Sequence, residues 1–224
     1  MRTGLDHLPP AKQRELERVV QVLFEEFAAA TAIATAEWKR QARILKVILY
    51  GSYARGGWVD EPHTAKGYRS DYDLLVIVNH DKLTDHVAFW AAAEDRFNRE
   101  LAIEGTLKTP VSFIVHSMAE VTDGLAEGRY FFADIARDGI ALYQADPTDL
   151  PEPRPKTPAQ ALAMAREYMD EWWPSANEFY DNYRFNLGLG RANNAAFQLH
   201  QAAERFYHCV LLVRTFYTPH VHNL

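Results

Sequence analysis

The first strong pattern along the chain has helical period. Leu16, Val19, Val20, Leu23, Phe24 and Phe27 recur at three- and four-residue spacing behind Pro9-Pro10. An amphipathic helix is therefore expected from about Ala11 to Trp38, with Lys12, Arg14, Glu17 and Arg18 on its wet face. Ile44 to Tyr50 is short, branched and apolar, and reads as a buried strand ending at Gly51. A long loop rich in glycine and charge follows from Gly51 to Ser70. Asp71 to Val78 is apolar on both faces after its first three residues, as a central strand is. Thr84 to Glu104 is predicted helical, packing through Val87, Phe89, Trp90, Ala93, Phe97 and Leu101. Val111 to His116 reads as a third strand and Ile140 to Gln144 as a fourth. Met118 to Glu127 and Tyr130 to Arg137 read as short helices between them.

The pattern changes at "ADPTDLPEPRPKTP", Ala145 to Pro158, where five prolines rule out a helix interior or a central strand. This is a semi-rigid linker and the expected domain boundary. Beyond it Ala159 to Phe185 reads as one helix, with Pro174 expected to kink it, and Arg191 to Tyr217 as another, separated by "GLG" at Gly188 to Gly190. In the last helix Ala192, Ala195, Ala196, Leu199, Ala203, Phe206, Val210 and Val213 form a continuous stripe. Two helices sharing one apolar face bury it poorly without more helices or a partner. A homodimer through this half, or a longer natural chain, is expected.

Composition narrows the function classes. With 224 residues, 48% of them apolar, the chain is long enough for a sizeable core and for one or two domains. A net charge of -6 argues against a broadly basic nucleic-acid coat and leaves room only for a local basic groove. The single cysteine, Cys209, forms no intramolecular disulfide, and no Cys/His spacing resembles a zinc site. No apolar run has the length of a signal peptide core or of a membrane span. The expected compartment is the cytoplasm, with no membrane partner.

Candidate chemistry lies in "LYGSYARGGWVDEPHTAKGYRSDYDLLVIV". Asp71 and Asp73 stand two apart at the mouth of a strand, so both carboxylates point to one side. Paired like charges call for a cation, and Mg2+ accepts carboxylate oxygens while leaving positions for phosphates. Gly51 lets backbone amides approach a phosphate, and the Ser52 hydroxyl adds a donor. Arg55, Lys66 and Arg69 lie in the same loop, where they are expected to neutralise phosphate charge.

"YGSYARG...SDYDLLVIV" resembles the signature of the DNA polymerase beta-like nucleotidyltransferases, in particular the minimal nucleotidyltransferases related to kanamycin-type antibiotic nucleotidyltransferases. The resemblance implies a small mixed sheet with flanking helices, Gly51 and Ser52 on the triphosphate, and Asp71 and Asp73 holding Mg2+. Ser52, Asp71 and Asp73 are then the catalytic set, and Gly51, Ser52, Arg55 and Arg69 the nucleotide-binding set. Two departures stand out. The interval from Ser52 to Asp71 is longer than usual, implying an insertion near "GGWVDEPHTAKGYR". The superfamily also adds a third carboxylate on a later strand, often as the base, whereas "TPVSFIVHS" contains none. Ser112 falls near that position, His116 closes the strand as an alternative base, and Glu104 and Glu120 are the acidic residues elsewhere that would have to reach the metal.

"NNAAFQLHQAAERFYHCVLLVRTFYTPHVHNL" is similar to the HEPN domain, a helical bundle often paired with minimal nucleotidyltransferases. Active members are metal-independent ribonucleases using Arg and His, here Arg214 with His220 or His222. Such a bundle needs more helices than remain, which reads as truncation. The combined expectation is an α+β chain: residues 1–145 a nucleotidyltransferase domain, 146–158 a linker, and 159–224 a HEPN-like helical domain. Its expected activity is transfer of a nucleoside monophosphate from ATP or another nucleoside triphosphate to a hydroxyl of a protein or small-molecule acceptor, with a toxin-antitoxin pair as one context. The alternatives are a catalytically impaired nucleotide-binding protein and an RNA-cleaving or RNA-binding HEPN protein.

Overall fold

The computed structural model describes residues 2–33, 36–61, 69–152 and 156–216. The expected positions Lys66, His220 and His222 lie outside them. The chain divides into two compact units, Met1–Glu127 with Phe132–Pro153, and Gly128–Phe131 with Arg154–Leu224. Among the described residues the fold is α+β.

The first unit is built on a four-stranded mixed sheet of β1 (Ile44–Tyr50), β2 (Tyr72–Val78), β3 (Val111–Ser117) and β4 (Ile140–Gln144), in the order β3-β2-β1-β4. β1 runs antiparallel to β2 and β4, and β2 runs parallel to β3. β2 lies between two neighbours and is buried along nearly its whole length, which its unbroken Leu-Leu-Val-Ile-Val run requires.

Helix α1 (Pro10–Thr31) is shorter than its apolar periodicity suggests. Thr31 turns its hydroxyl back onto the Phe27 carbonyl at 2.7 Å, and the next apolar residue, Ile33, is 88% exposed. With Ile33 unpacked, α1 ends at Thr31, and a short α2 (Glu37–Arg40) is a separate element. Leu16, Val19, Val22, Leu23 and Phe27 of α1 join Val47, Leu49, Leu74, Val76 and Val78 in one apolar core.

The segment expected as a single helix from Thr84 to Glu104 is a series of short turns. A 3-10 turn over Asp81–Thr84 leads to α4 (His86–Phe89), α5 (Ala91–Arg99) and a π turn over Glu100–Glu104. Asp85 caps α4 by accepting from the Ala88 amide at 3.0 Å. Trp90 then leaves helical geometry at φ -127°, sinks fully into the core and donates its ring N–H to the Leu83 carbonyl at 2.7 Å. The break turns Val87 outward, 84% exposed, so it is not the packed position its spacing suggests.

On the opposite face of the sheet, Ile48, Leu75 and Ile77 are buried, as are Val121 and Leu125 of α6 (Met118–Ala126) and Phe132 and Ile135 of α7 (Tyr130–Asp138). Gly139 touches Ile48 and Ile135 so closely that a Cβ there would lie 2.4 Å from the Ile135 carbonyl oxygen.

The second unit contains α8 (Pro158–Gly188) and α9 (Ala192–Thr215), an antiparallel hairpin. Thr157 and Gln160 close α8 with a reciprocal capping box. α8 runs through the exposed Pro174 as one element. The residues of α9 buried in the hairpin are Ala195, Ala202, Cys209 and Leu212, with Cys209 Sγ 3.7 Å from Met169 Sδ. Only Ala195 of these belongs to the stripe predicted from sequence. Leu199 and Val210, expected inside, are 41% and 56% exposed.

Among the described residues no helix is long and apolar enough to cross a membrane.

Candidate functional site

The corner where β1 ends and β2 begins brings Gly51 and Asp73 together. Tyr50 pairs with Asp73 across the antiparallel ladder, so the residue after Tyr50 meets the Asp73 side chain directly. Gly51 has φ +71°, and a Cβ built on it would lie 2.2 Å from Asp73 Oδ2. Only a residue without a side chain admits the carboxylate there, and only glycine adopts this backbone readily. The sequence signature of Gly-Ser on one strand and Asp-x-Asp on the next is thus a direct packing contact between the two halves.

Gly51 also starts α3 (Gly51–Arg55), one turn of helix where the sequence suggested only loop. Tyr53 and Ala54 of this turn are fully buried, which anchors it, while Arg55 points outward. Ser52 stays partly accessible.

Asp71 immediately precedes β2 and shares the Asp73 side of the chain, whereas Tyr72 between them turns into the core and donates to Glu15 Oε2 at 3.0 Å. Burial first, and then the negative charge of Asp71, raise the Asp73 pKa to about 6 against the opposing charge of Arg55. The same two carboxylates help hold the half-buried Tyr50 phenol above its ordinary range, after the larger effect of burial. Holding both acids ionised side by side is unfavourable in the bare protein, which is the electrostatic condition that a divalent cation relieves.

The structure separates the two expected arginines. Arg55 forms no ion pair among the described residues, and its charge acts on Asp73. Arg69 is committed elsewhere: Nε lies 3.0 Å from Asp60 Oδ1, and a terminal nitrogen donates to the Lys108 carbonyl at 2.7 Å. Together with the Val59–Ser70 backbone bond of 2.8 Å and the Ser70 hydroxyl accepting from the Val59 amide at 3.0 Å, this pair ties Val59 and Asp60 to Arg69 and Ser70. Lys12 reinforces it from α1, 3.6 Å from Asp60 Oδ2. Arg69 therefore serves as a brace between Asp60 and Lys108.

The parallel register puts Ser112 of β3 beside Asp73. His116 is level with Ile77, four residues farther along, about 13 Å at ~3.3 Å per residue. It contacts Glu120 at 3.1 Å and the edge of Phe132, so it caps the far end of the strand and cannot act as base at Asp73. Glu120 is also used in the capping box of α6, and Glu104 pairs with Arg99 at 3.2 Å. Neither supplies the third carboxylate. Among the described residues no cluster of three or more His, Cys, Asp or Glu forms. Sequence reading overlooked Asp138 at the end of α7, whose pKa is lowered first by Arg137 and also by Arg55 and Arg2. Nothing in its local sequence links it to Arg55; only the fold does.

The contact at Gly51 makes a specific prediction. Gly51→Ala is expected to displace the Asp73 carboxylate and to add backbone strain of about 1–2 kcal/mol. The melting temperature should fall by several degrees with the far-UV circular dichroism of the parent retained. An unchanged melting temperature would show that the close approach is not maintained in solution.

No protein-family model matches the chain, and neither a curated protein nor a solved structure is found to be similar to it.

Proposed function

We propose that the chain is a nucleotidyltransferase that moves a nucleoside monophosphate from a nucleoside triphosphate, ATP by default, to a hydroxyl acceptor. The observation that carries this reading is the packing of the Gly51 backbone against the Asp73 carboxylate, with Asp71 on the same side and Arg55 within electrostatic reach. Two carboxylates that repel one another, beside the partly accessible Ser52 and the exposed Arg55, fit a hard divalent cation such as Mg2+. Asp71 and Asp73 would hold the ion, which when bound supplies positive charge to the triphosphate. Ser52 offers a hydroxyl donor, Gly51 the close backbone approach, and Arg55 a cation for the departing pyrophosphate. Such a site works by positioning and charge neutralisation, so few residues have to do chemistry. The acceptor is a protein side chain or a small molecule carrying a hydroxyl.

One observation favours a second reading, a nucleotide-binding protein with little or no transfer. The residue beside Asp73 on β3 is Ser112, which carries neither a carboxylate nor an imidazole to take the acceptor's proton.

Both readings require nucleotide and metal at this corner, and a thermal shift tests that shared requirement. ATP with Mg2+ should raise the melting temperature of the parent protein, by an amount set by ligand concentration over Kd. ATP without metal should do less, and Asp71→Asn should remove most of the difference. No shift at millimolar ATP and Mg2+ would exclude both readings.

A further inference from the structure

The turn α3 is too short to hold itself, because closing a first helical turn fixes several residues for very few backbone bonds. It also begins at Gly51, whose φ of +71° lies outside helical geometry. The buried Tyr53 and Ala54 side chains hold its inner face, and its last carbonyls show what holds its far end. The Ser52 carbonyl accepts from the Gly57 amide at 3.0 Å. The next two carbonyls, which a helix end leaves without backbone partners, are taken by side chains from the segment before α1. His7 Nε2 donates to the Tyr53 carbonyl at 2.8 Å, and Arg2 Nη1 donates to the Ala54 carbonyl at 3.2 Å. That segment is itself fixed at both ends. Arg2 bridges Ile140 of β4, and its carbonyl accepts from the Ala141 amide at 2.8 Å, which seats it on the rim of the sheet. At the other end Leu8 is buried, and Gln13 of α1 donates to the Leu5 and Leu8 carbonyls at 3.1 and 2.9 Å. Between them His7 meets the edge of Trp58, which stacks on Tyr53 with ring centroids 5.4 Å apart.

We propose that Arg2 and His7 are positioning residues of the nucleotide corner, which hold α3 by the Tyr53 and Ala54 carbonyls so that Ser52 and Arg55 meet the triphosphate in fixed places. The proposal rests on the nucleotide reading given above and adds to it the residues that preorganise the site. Ser52 and Arg55 flank the two clamped residues directly, so freeing those carbonyls loosens the hydroxyl and the guanidinium together. Small displacements of groups that orient a phosphate weaken its binding even when no contacting residue is changed. Asp71 and Asp73 belong to the other strand of the corner and do not depend on this clamp for their place. The charges of Arg2 and Arg55 also reach a common carboxylate, Asp138 at the end of α7, which gives the clamped end of the turn a counterion of its own. Neither Arg2 nor His7 has to touch the nucleotide.

Amide hydrogen exchange and ATP titration of the full chain test the proposal. The parent is compared with Arg2→Met/His7→Leu, which removes both donors, and with Arg2→Lys/His7→Gln, which keeps a donor at each position. Both replaced side chains are exposed, so the core should stay folded in either variant. Without nucleotide, exchange in the first variant should quicken across residues 51–57 and match the parent in β1 and α1. Its Kd for ATP with Mg2+ should rise about tenfold, the equivalent of one to two net hydrogen bonds, and the second variant should recover most of that loss. Unchanged exchange over residues 51–57, or an unchanged Kd, would overturn the positioning role while leaving the nucleotide reading in place. Faster exchange throughout β1 and α1, with no recovery in the second variant, would overturn it too, since the contacts would then be general supports of the fold. A parent that binds no ATP with Mg2+ would overturn the nucleotide reading itself, and the positioning role with it.

Discussion

Asp73→Asn is expected to yield a protein that is more stable than the parent at pH 7 and inactive in nucleotide transfer. The Asp73 pKa is raised to about 6 by burial and by Asp71, so the folded state binds a proton more tightly than the unfolded chain does. A raised carboxyl pKa contributes stability that is fully present below about pH 4 and is lost as pH rises through 6. Asn carries no such penalty. Because Asp73 is only partly buried, the gain is discounted to about 1–2 kcal/mol at pH 7. It should shrink between pH 6 and 4 and vanish below that. Chemical denaturation of both proteins across this range is the check; equal stability at pH 7 would mean that the corner is better solvated than its packing indicates. Saturating Mg2+ should reverse the order by stabilising the parent alone.

The largest expected loss of stability comes from Glu100. Its side chain is 1% exposed and is gripped by three partners. Arg18 approaches both oxygens at 2.6 and 3.1 Å, Arg96 donates at 3.2 Å and the Thr106 hydroxyl at 3.3 Å. Arg96 in turn holds Glu26 at 2.6 Å and Glu25 at 2.8 Å, tying α1 to the π turn after α5. Removing the central carboxylate strips Arg18 of its close partner and cuts its link to Arg96, so Glu100→Ala should cost about 3 kcal/mol. Replacing both Arg18 and Glu100 by apolar residues should cost less than the single change. The pH dependence has the opposite sign to that at Asp73. Arg18, first by hydrogen bonding, lowers the Glu100 pKa, so its contribution is complete above the ordinary glutamate range and disappears as pH falls through the lower folded value. Urea denaturation at pH 7 and pH 3 should show the mutational difference large at the first and diminished at the second. A cost below 1 kcal/mol at pH 7 would contradict the network's role.

The strands and the Gly51/Asp73 relation were legible because each rests on local chemistry. Ile44–Tyr50 and Ile140–Gln144 were bounded correctly by branched runs and turn residues. Gly-Ser followed by Asp-x-Asp was informative because the antiparallel pairing of β1 and β2 turns that spacing into contact. Register and competition for partners were not legible. That Arg69 is a brace rather than a free cation depends on Asp60 and the Lys108 carbonyl, 9 and 39 residues away. That His116 lies far from Asp73 depends on the β2–β3 register. The broken helices around Trp90 show burial overriding periodicity, since a single indole entering the core ends one turn and redirects the next. In α9 two apolar stripes coexist, and sequence cannot tell which one faces α8.

Transfer of label from alpha-labelled ATP, in the presence of Mg2+ and added protein or hydroxyl-bearing acceptors, tests the central claim most directly. The account predicts labelled acceptor with the parent protein and none with Asp73→Asn. Equal labelling by both proteins would contradict the role given to the Asp71–Asp73 pair. No labelling, with Mg2+-dependent ATP binding intact, would contradict the transferase reading and leave the Ser112-containing corner as a nucleotide-binding site.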